Sequence, residues 1–204
     1  MKKTVPVREP RQKRSIEKKE KIIQAGFELF CERGYQNTNT NEIAERAGVS
    51  IGTLYSYFED KKSIFMVSFQ LFLNTHLEPL LEELAKIPQP ADVRVFVTKC
   101  IEVLENLYIS SKNIIYELGT MQEADPEIMQ FFAEYEDTLL SSFVKTLDRL
   151  GVSKNNLNEK MYLLYTTADA LGQEAANHYH HSIKLEPLRE VAINMLTHML
   201  IASE

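Results

Sequence analysis

Long apolar runs are missing from this chain. The longest apolar-rich stretch, Ser63 to Leu73, is broken by Ser68 and Gln70 and falls well short of the roughly 18 residues a membrane span requires. No membrane partner is expected. Cysteine is scarce, with Cys31 and Cys100 as its two instances. Neither stands in the CxxC or Cys/His spacing of a metal or redox site, and both read as reduced structural thiols. Met1-Lys2-Lys3 leads into Pro6, Arg8, Pro10 and Arg11 instead of the apolar segment of a secretion signal, so a cytoplasmic location is expected. Glycine numbers seven, few for an active site built on loops. There is no phosphate-binding glycine loop, nucleophile elbow, zinc-binding helix motif or paired-carboxylate arrangement. An enzyme is therefore not expected, and no cofactor or metal is called for. Sustained alternation and internal repeats are also lacking, which excludes sheets and solenoids.

What is present is enough apolar side chain for a core: 44% hydrophobic and 25% charged residues over 204 positions, fitting one or two globular domains. The net charge of −6 argues against a nucleic-acid partner until its distribution is considered. Residues 1 to 62 hold 13 basic against 9 acidic side chains, a net of +4, and residues 63 to 204 hold 10 against 20, a net of −10. Nine basic and three acidic side chains fall in the first 21 residues. Such a tail suits polyphosphate and equally reads as a solvated, disordered arm over residues 1 to 14.

The pattern is helical throughout. Ile16, Ile23, Phe27 and Phe30, widened by Ile22 and Leu29, stripe a first helix from about Ser15 to Arg33, which Gly34 stops. Asn37-Thr38-Asn39-Thr40 supplies side-chain oxygens to open a second, short helix carrying Ile43, Ala44 and Ala47, closed by Gly48. Ser50 caps a third short helix from Ile51 to Phe58, so a turn of very few residues joins two helices. Asp60 caps a long helix from Lys61 to about Leu84, bent or interrupted near Pro79. Pro88-Gln89-Pro90 is a linker. Asp92 opens a helix through Val93 to Leu107, and a separate short piece follows around Ile114 to Met121. Asp125-Pro126 opens the next, which runs to Gly151. Asn156 with Glu159 has the spacing of a capping box for a helix towards His181, and a last helix runs from Pro187 to about Ala202. The expectation is an all-α chain of about nine helices, with a three-helix helix-turn-helix domain over residues 15 to 60 and a helical domain over 61 to 204.

The segment Gly34-Tyr35-Gln36-Asn37-Thr38, Ile43-Ala44, Ala47-Gly48-Val49-Ser50, Gly52-Thr53-Leu54-Tyr55, Tyr57-Phe58 and Lys61 resembles the DNA-binding domain of TetR-family transcriptional regulators. The resemblance covers about residues 15 to 65. Thr40 stands where an aliphatic residue is common and Asn41 where a charged one is frequent. By this resemblance the DNA-contacting set is Thr38, Thr40, Asn41, Ser50, Ile51, Gly52, Thr53, Tyr55, Ser56, Tyr57 and Lys61.

The chemistry of these residues agrees with that assignment. Gly52 permits close approach to a phosphate backbone, hydroxyls at Thr53, Tyr55 and Tyr57 suit phosphate oxygens or base edges, and Ile51 can meet a thymine methyl. Tyr55 and Tyr57, two apart, cannot share a helix face, so one of them is open to a packing role. Lys61 reads either as a phosphate contact or as an ordinary exposed lysine. Leu54 and Phe58 turn inward.

The resemblance implies a homodimer on a palindromic double-stranded operator, with two readers about 34 to 36 Å apart, and the last two helices of each subunit pairing as a four-helix bundle. Ala168, Gly172, Ala175 and Ala176 offer close approach on one helix, and Leu188, Val191, Met195 and Met199 stripe the other; the small residues fit tight packing within one subunit equally well. It further implies a small-molecule effector in the second domain. Tyr108, Tyr116, Met121, Phe131, Tyr135, Tyr162 and Tyr165 are candidate lining residues, with Asp169 and Gln173 adding a polar strip on one helix face. Asp169 can meet a polar or cationic ligand group or serve a structural hydrogen bond. His178, His180 and His181 read as a histidine group at a helix end and not as metal ligands. The resulting expectation is a ligand-responsive transcriptional repressor; the alternative is a constitutive DNA-binding regulator without a ligand.

Overall fold

The computed structural model of the chain describes residues 9–87 and 92–202. The arm up to residue 8 and the Pro88-Gln89-Pro90 linker lie outside the described residues. Eight helices and, among the described residues, no strand are found: α1 (Glu9–Arg33), α2 (Thr40–Arg46), α3 (Ile51–Tyr55), α4 (Lys61–Ala85), α5 (Val93–Ala124), α6 (Pro126–Arg149), α7 (Leu157–Asn177) and α8 (Leu185–Ile201). No helix among the described residues is long and apolar enough to cross a membrane.

The count of eight stands one short of the expected nine because the piece around Ile114 to Met121, set apart by a kink as expected, is counted with α5. It continues α5 past a non-helical Ser111 (φ −136°, ψ 28°). Adjacent serines are a known cause of such a break, and here the Ser110 hydroxyl donates to the Asn106 carbonyl at 2.7 Å, competing with the helical ladder. Helix α1 begins six residues before the expected Ser15, so residues 9 to 14 are helical. Helix α4 runs uninterrupted through Pro79.

The caps explain most boundaries. Asn39 accepts from the Glu42 amide while the Glu42 carboxylate accepts from the Asn39 amide, a reciprocal box. Ser50 accepts from Thr53 N at 3.2 Å, Asp60 from Ser63 N at 2.7 Å, and Asp125 from Glu127 N at 2.9 Å just before Pro126. The box expected at Asn156 does not form. Asn156 sits in the left-handed region (φ 52°, ψ 32°) with no side-chain cap bond, a geometry that asparagine tolerates better than most residues.

The helices form two compact units, residues 1–71 and 72–204, so the division falls inside α4 and not before Lys61. In the first unit Ile22, Leu29, Phe30, Ile43, Leu54, Ile64, Phe65 and Phe69 are buried. Phe65 stacks edge-on to Phe30 and Tyr35 with centroids 5.4 and 5.2 Å away, pairs that each add about 0.5–1.5 kcal/mol beyond burial. Ile16, expected on this stripe, is 52% exposed. The second unit packs α5 against α6, α7 and α8 around Phe96, Val97, Ile101, Leu147, Leu164, Ala168, Ile193, Leu196 and Leu200. Arg149 at the end of α6 donates to the carbonyls of Leu84 and Ala85 at 2.7 and 2.6 Å, a cation placed where the last carbonyls of α4 need donors.

Candidate functional site

The first candidate surface is the exposed side of α2, α3 and the turn between them. Gly48 takes φ 67° in that turn, a conformation an L side chain rarely adopts. The Val49 amide then bonds back to the Ala44 carbonyl at 3.0 Å. Leu54 and Phe58 are buried at 0% and 4% and fix the inner side of α3, which packs against α2. The other face of α3 looks outward: Ser50, Ile51, Gly52, Tyr55 and Ser56 are exposed, as is Asn41 on α2, with Thr40 and Thr53 half-buried. Ile51 at 38% and Tyr55 at 52% are large side chains left in solvent.

Three details refine the expected contact set. Tyr55 and Tyr57 divide as their spacing requires. The Tyr55 hydroxyl meets that of Thr40 at 3.0 Å on the open face, while Tyr57 turns back to Ser15 of α1, also at 3.0 Å. Thr38 is a correction: it is 2% exposed, and its hydroxyl donates to the Gly34 carbonyl at 2.9 Å, so its side chain serves the α1–α2 turn and not an outer partner. Lys61 is half-buried. Its ammonium donates to the carbonyls of Tyr35 and Thr38 at 2.7 and 2.8 Å and lies 4.1 Å from the Tyr35 ring centroid. Burial holds that ammonium below the ordinary lysine range. The unfavourable position of a cation in the first turn of α4 is thus offset by two carbonyls, with one of three N–H donors left over.

Gly52 is informative because nothing inside the chain requires it. A Cβ added there would meet no atom within 4 Å, yet glycine inside a helix costs about 1 kcal/mol relative to alanine. Without a Cβ there, the exposed face of α3 is open to close approach at that point.

The second candidate site is a cavity of about 310 Å³ inside the second unit, near the lower end of ligand-pocket sizes. Helices α4 to α7 line it, with Leu77, Leu104, Phe132 and Phe143 among its apolar walls. Five of the nine expected lining residues are there: Tyr108, Tyr135, Tyr165, Asp169 and Gln173. Four are not. Tyr116 is 76% and Tyr162 55% exposed, Met121 is buried at 4% away from the cavity, and Phe131 stacks on Phe132 outside the lining. Glu136, a lining residue, escaped the sequence reading because its neighbours Glu134 and Asp137 make it look like one of an exposed acidic run.

The cavity's polar groups are paired with one another, most of them across helices. The Tyr108 hydroxyl donates to Asp169 Oδ1 at 2.5 Å and Gln173 Nε2 to Oδ2 at 2.8 Å. Tyr165 donates to Glu136 Oε1 at 3.1 Å, and Tyr135 to Asn74 Oδ1 at 2.8 Å. Burial raises all three phenols, Tyr135 to about 12. It also raises the Glu136 carboxyl, with the charges of Asp169 and Asp137 acting in the same direction and the Tyr165 hydrogen bond opposing.

The small residues of α7 are a second correction. Ala168, Gly172 and Ala175 are buried within the chain. A Cβ at Gly172 would fall 2.5 Å from Tyr108 Cδ2 and 3.2 Å from the Leu104 carbonyl oxygen, so the close approach they permit is to α5 and not to a second subunit. Ala176 is half-buried, Leu188 and Met199 pack on the core, and Val191 and Met195 are exposed at 64% and 55%. At the end of α7, His180 Nδ1 lies 2.8 Å from Glu174 Oε2, an acidic partner that the sequence reading had not placed there. No group of three His, Cys, Asp or Glu side chains suited to a metal occurs among the described residues.

With this geometry in hand, the likeness to known proteins is specific at one end of the chain. Residues 22–66 match the model of the bacterial regulatory proteins, tetR family. The HTH-type transcriptional regulator HbdR of Aromatoleum sp. (strain CIB) is 33% identical over 76 residues, which are 37% of this chain and 33% of HbdR. The chain thus spans about a third of that relative's length. Two solved structures are similar over most of the chain. One, from Saccharomonospora viridis and described as a transcriptional regulator in complex with choline, has 19% identity over 91% of this chain and 98% of its own, with a TM-score of 0.66. The other, the transcriptional regulator FadR from Bacillus subtilis in complex with stearoyl-CoA, has 20% identity over 87% of this chain and 97% of its own, with a TM-score of 0.62. At those identities the likeness is one of fold. Residues 22–66 thus carry the helix-turn-helix of the bacterial tetR regulators, and the chain shares its fold with proteins described as transcriptional regulators.

Proposed function

We propose that the protein is a homodimeric transcriptional repressor of the cytoplasm that occupies a palindromic operator until a small-molecule effector enters the cavity of its second unit. Ile51, Gly52, Tyr55 and Ser56 face the major groove, with Thr40 and Asn41 beside them. Ser50 and Thr53 hold the first turn of α3, and Tyr57 secures α3 to α1. Exposed apolar side chains on α8, Val191 and Met195, and on α7, Tyr162 and Leu163, are available to a second copy in place of the buried small residues. Two proteins of like fold, described with choline and with stearoyl-CoA, support an effector here too.

The observation that carries this reading is the double role of α4. Leu73, Leu77 and Leu80 of this helix line the cavity, and its first residue, Lys61, holds the carbonyls of Tyr35 and Thr38 in the turn before α2. An effector that presses on the leucines acts on the helix that fastens the reading element. Release then requires that the effector bind the operator-incompetent arrangement better, since equal affinity for both states shifts nothing.

The test is selection of bound duplexes from a random pool by the purified protein at moderate ionic strength, followed by a metabolite screen for release. The expected result is a two-fold symmetric site bound by a dimer in sedimentation, with at least one compound that weakens binding. A monomer without preference among duplexes overturns the proposal, and a selected palindrome that no compound releases favours the constitutive regulator.

A further inference from the structure

The cavity in the second unit is unbalanced in charge. Two of its lining residues are carboxylates, Glu136 of α6 and Asp169 of α7, and none of the other lining residues is Lys, Arg or His. The partners these carboxylates accept from are neutral: the phenols of Tyr108 and Tyr165 and the Gln173 amide. Elsewhere in the same unit a shielded carboxylate is matched by a cation. Glu105, buried at 3%, receives Arg189 Nε on both oxygens at 3.1 and 2.9 Å and Nη2 at 2.8 Å.

Two carboxylates facing one shielded space repel each other, and a partner of opposite charge relieves that repulsion more strongly there than in water. Each still has acceptor positions, because a carboxylate offers about four and the protein fills one on Glu136 and two on Asp169. Three tyrosine rings in the same lining, one each from α5, α6 and α7, add faces that attract a cation. The remaining wall is mainly leucine and phenylalanine, with Gln122 its one other polar side chain apart from the Cys100 thiol, which offers too few oxygens for a bare metal ion needing six or more and suits a hydrocarbon body. An anionic ligand would place a third negative charge in the cavity with no cation to receive it.

We propose that the effector is an organic cation with an apolar body, its positive head held between Asp169 and Glu136 and its body against Leu77, Leu104, Phe132 and Phe143. This rests on the reading of the cavity as the effector site and names the ligand class of that site.

The experiment is titration calorimetry of the full chain with a matched series: 4-phenylbutylamine, 4-phenylbutanol and 4-phenylbutyrate. The amine is expected to bind at least tenfold more tightly than the alcohol, and the acid more weakly than either. Asp169→Asn with Glu136→Gln removes the charge with little change of shape and is expected to bring amine and alcohol to equal affinity. Absence of amine binding at millimolar concentration, tighter binding of the acid, or an amine preference that survives in the double variant each overturn the inference. If the double variant does not fold, the wild-type order and Asp169→Asn alone decide. Operator release measured in parallel separates the two readings. An amine that binds but leaves the operator occupied removes the effector role while the cation site stands. An alcohol or acid that binds more tightly and releases the operator keeps the effector role and removes the cation.

Discussion

The two units hold their polar side chains in opposite ways. In the first, the pairs that open the helices of the reading element are three residues apart, Asn39 with Glu42, Ser50 with Thr53 and Asp60 with Ser63, and a longer link such as Tyr57 to Ser15 spans 42 residues. In the second, they join distant helices: Tyr108 with Asp169 and Tyr135 with Asn74, each 61 residues apart, and Arg189 with Glu105, 84 apart. The outward face of α3 can be built locally because its partner comes from outside. A cavity must be enclosed on several sides, so its polar groups depend on how whole helices pack. A change in the first unit should therefore leave ligand binding intact, and one in the second should couple stability to ligand binding.

The largest expected effect tests the first half of that contrast. Leu54→Ala empties a fully buried position under α3, and such truncations cost about 2–5 kcal/mol. Chemical denaturation should show an early transition of the N-terminal unit, with operator binding lost and binding of a cavity ligand retained. Loss of both would mean the units do not behave separately. Gly172→Ala tests the second half. Its Cβ would fall 2.5 Å from Tyr108 Cδ2, and overpacking costs about 1–3 kcal/mol. Because Tyr108 must give way, its bond to Asp169 is disturbed too. Lower stability and altered ligand affinity should appear together, and a stability loss with unchanged ligand affinity would break the coupling.

The same contrast decides what could be read from the sequence. The helix-turn-helix was legible because its determinants are local: Gly48 for a left-handed turn, Asn39 and Ser50 as caps, and Leu54 and Phe58 four apart on one face. Errors there came from atoms the pattern does not carry. Thr38 looked like another free hydroxyl, and only the fold of the turn brings the Gly34 carbonyl to it. The polar strip of the cavity was legible in part, since Tyr165, Asp169 and Gln173 share one α7 face by spacing alone. Glu136 was hidden because burial of one glutamate among acidic neighbours is decided by helix packing. Gly172 carried a true signal of close approach but no information about which helix approaches, and the structure gives α5.

A smaller effect separates the two tyrosines of the reading element. Tyr57→Phe removes the bond to Ser15 and should cost about 1 kcal/mol of stability, leaving base preference unchanged. Tyr55→Phe removes a hydroxyl from the open face, so stability should hold while discrimination among operator variants falls by about 1–3 kcal/mol. Competition binding to a set of single-base operator variants distinguishes them. A reversed outcome would place the reader on the wrong side of α3.

The smallest expected effect is a pair of opposite pH slopes, one from each unit. Glu32 in the first unit is exposed, and hydrogen bonds from Arg46 hold its carboxyl below the ordinary glutamate range. Its stabilisation is present at neutral pH and is lost as the pH falls through that lowered value; solvent keeps it slight. Glu136 runs the other way. Burial, with Asp169 and Asp137, raises its carboxyl above the ordinary range, so between the ordinary and the raised value the folded chain binds the proton that the unfolded chain has released. Stability therefore falls as the pH rises through that window. Glu136→Gln removes the titration, and denaturation midpoints from pH 4 upward should show the variant gaining on the wild type until the window is passed. An unchanged wild-type slope in the variant would mean that Glu136 is ionised without cost in the folded chain, and that the cavity is wetter and less selective for charge than its lining implies.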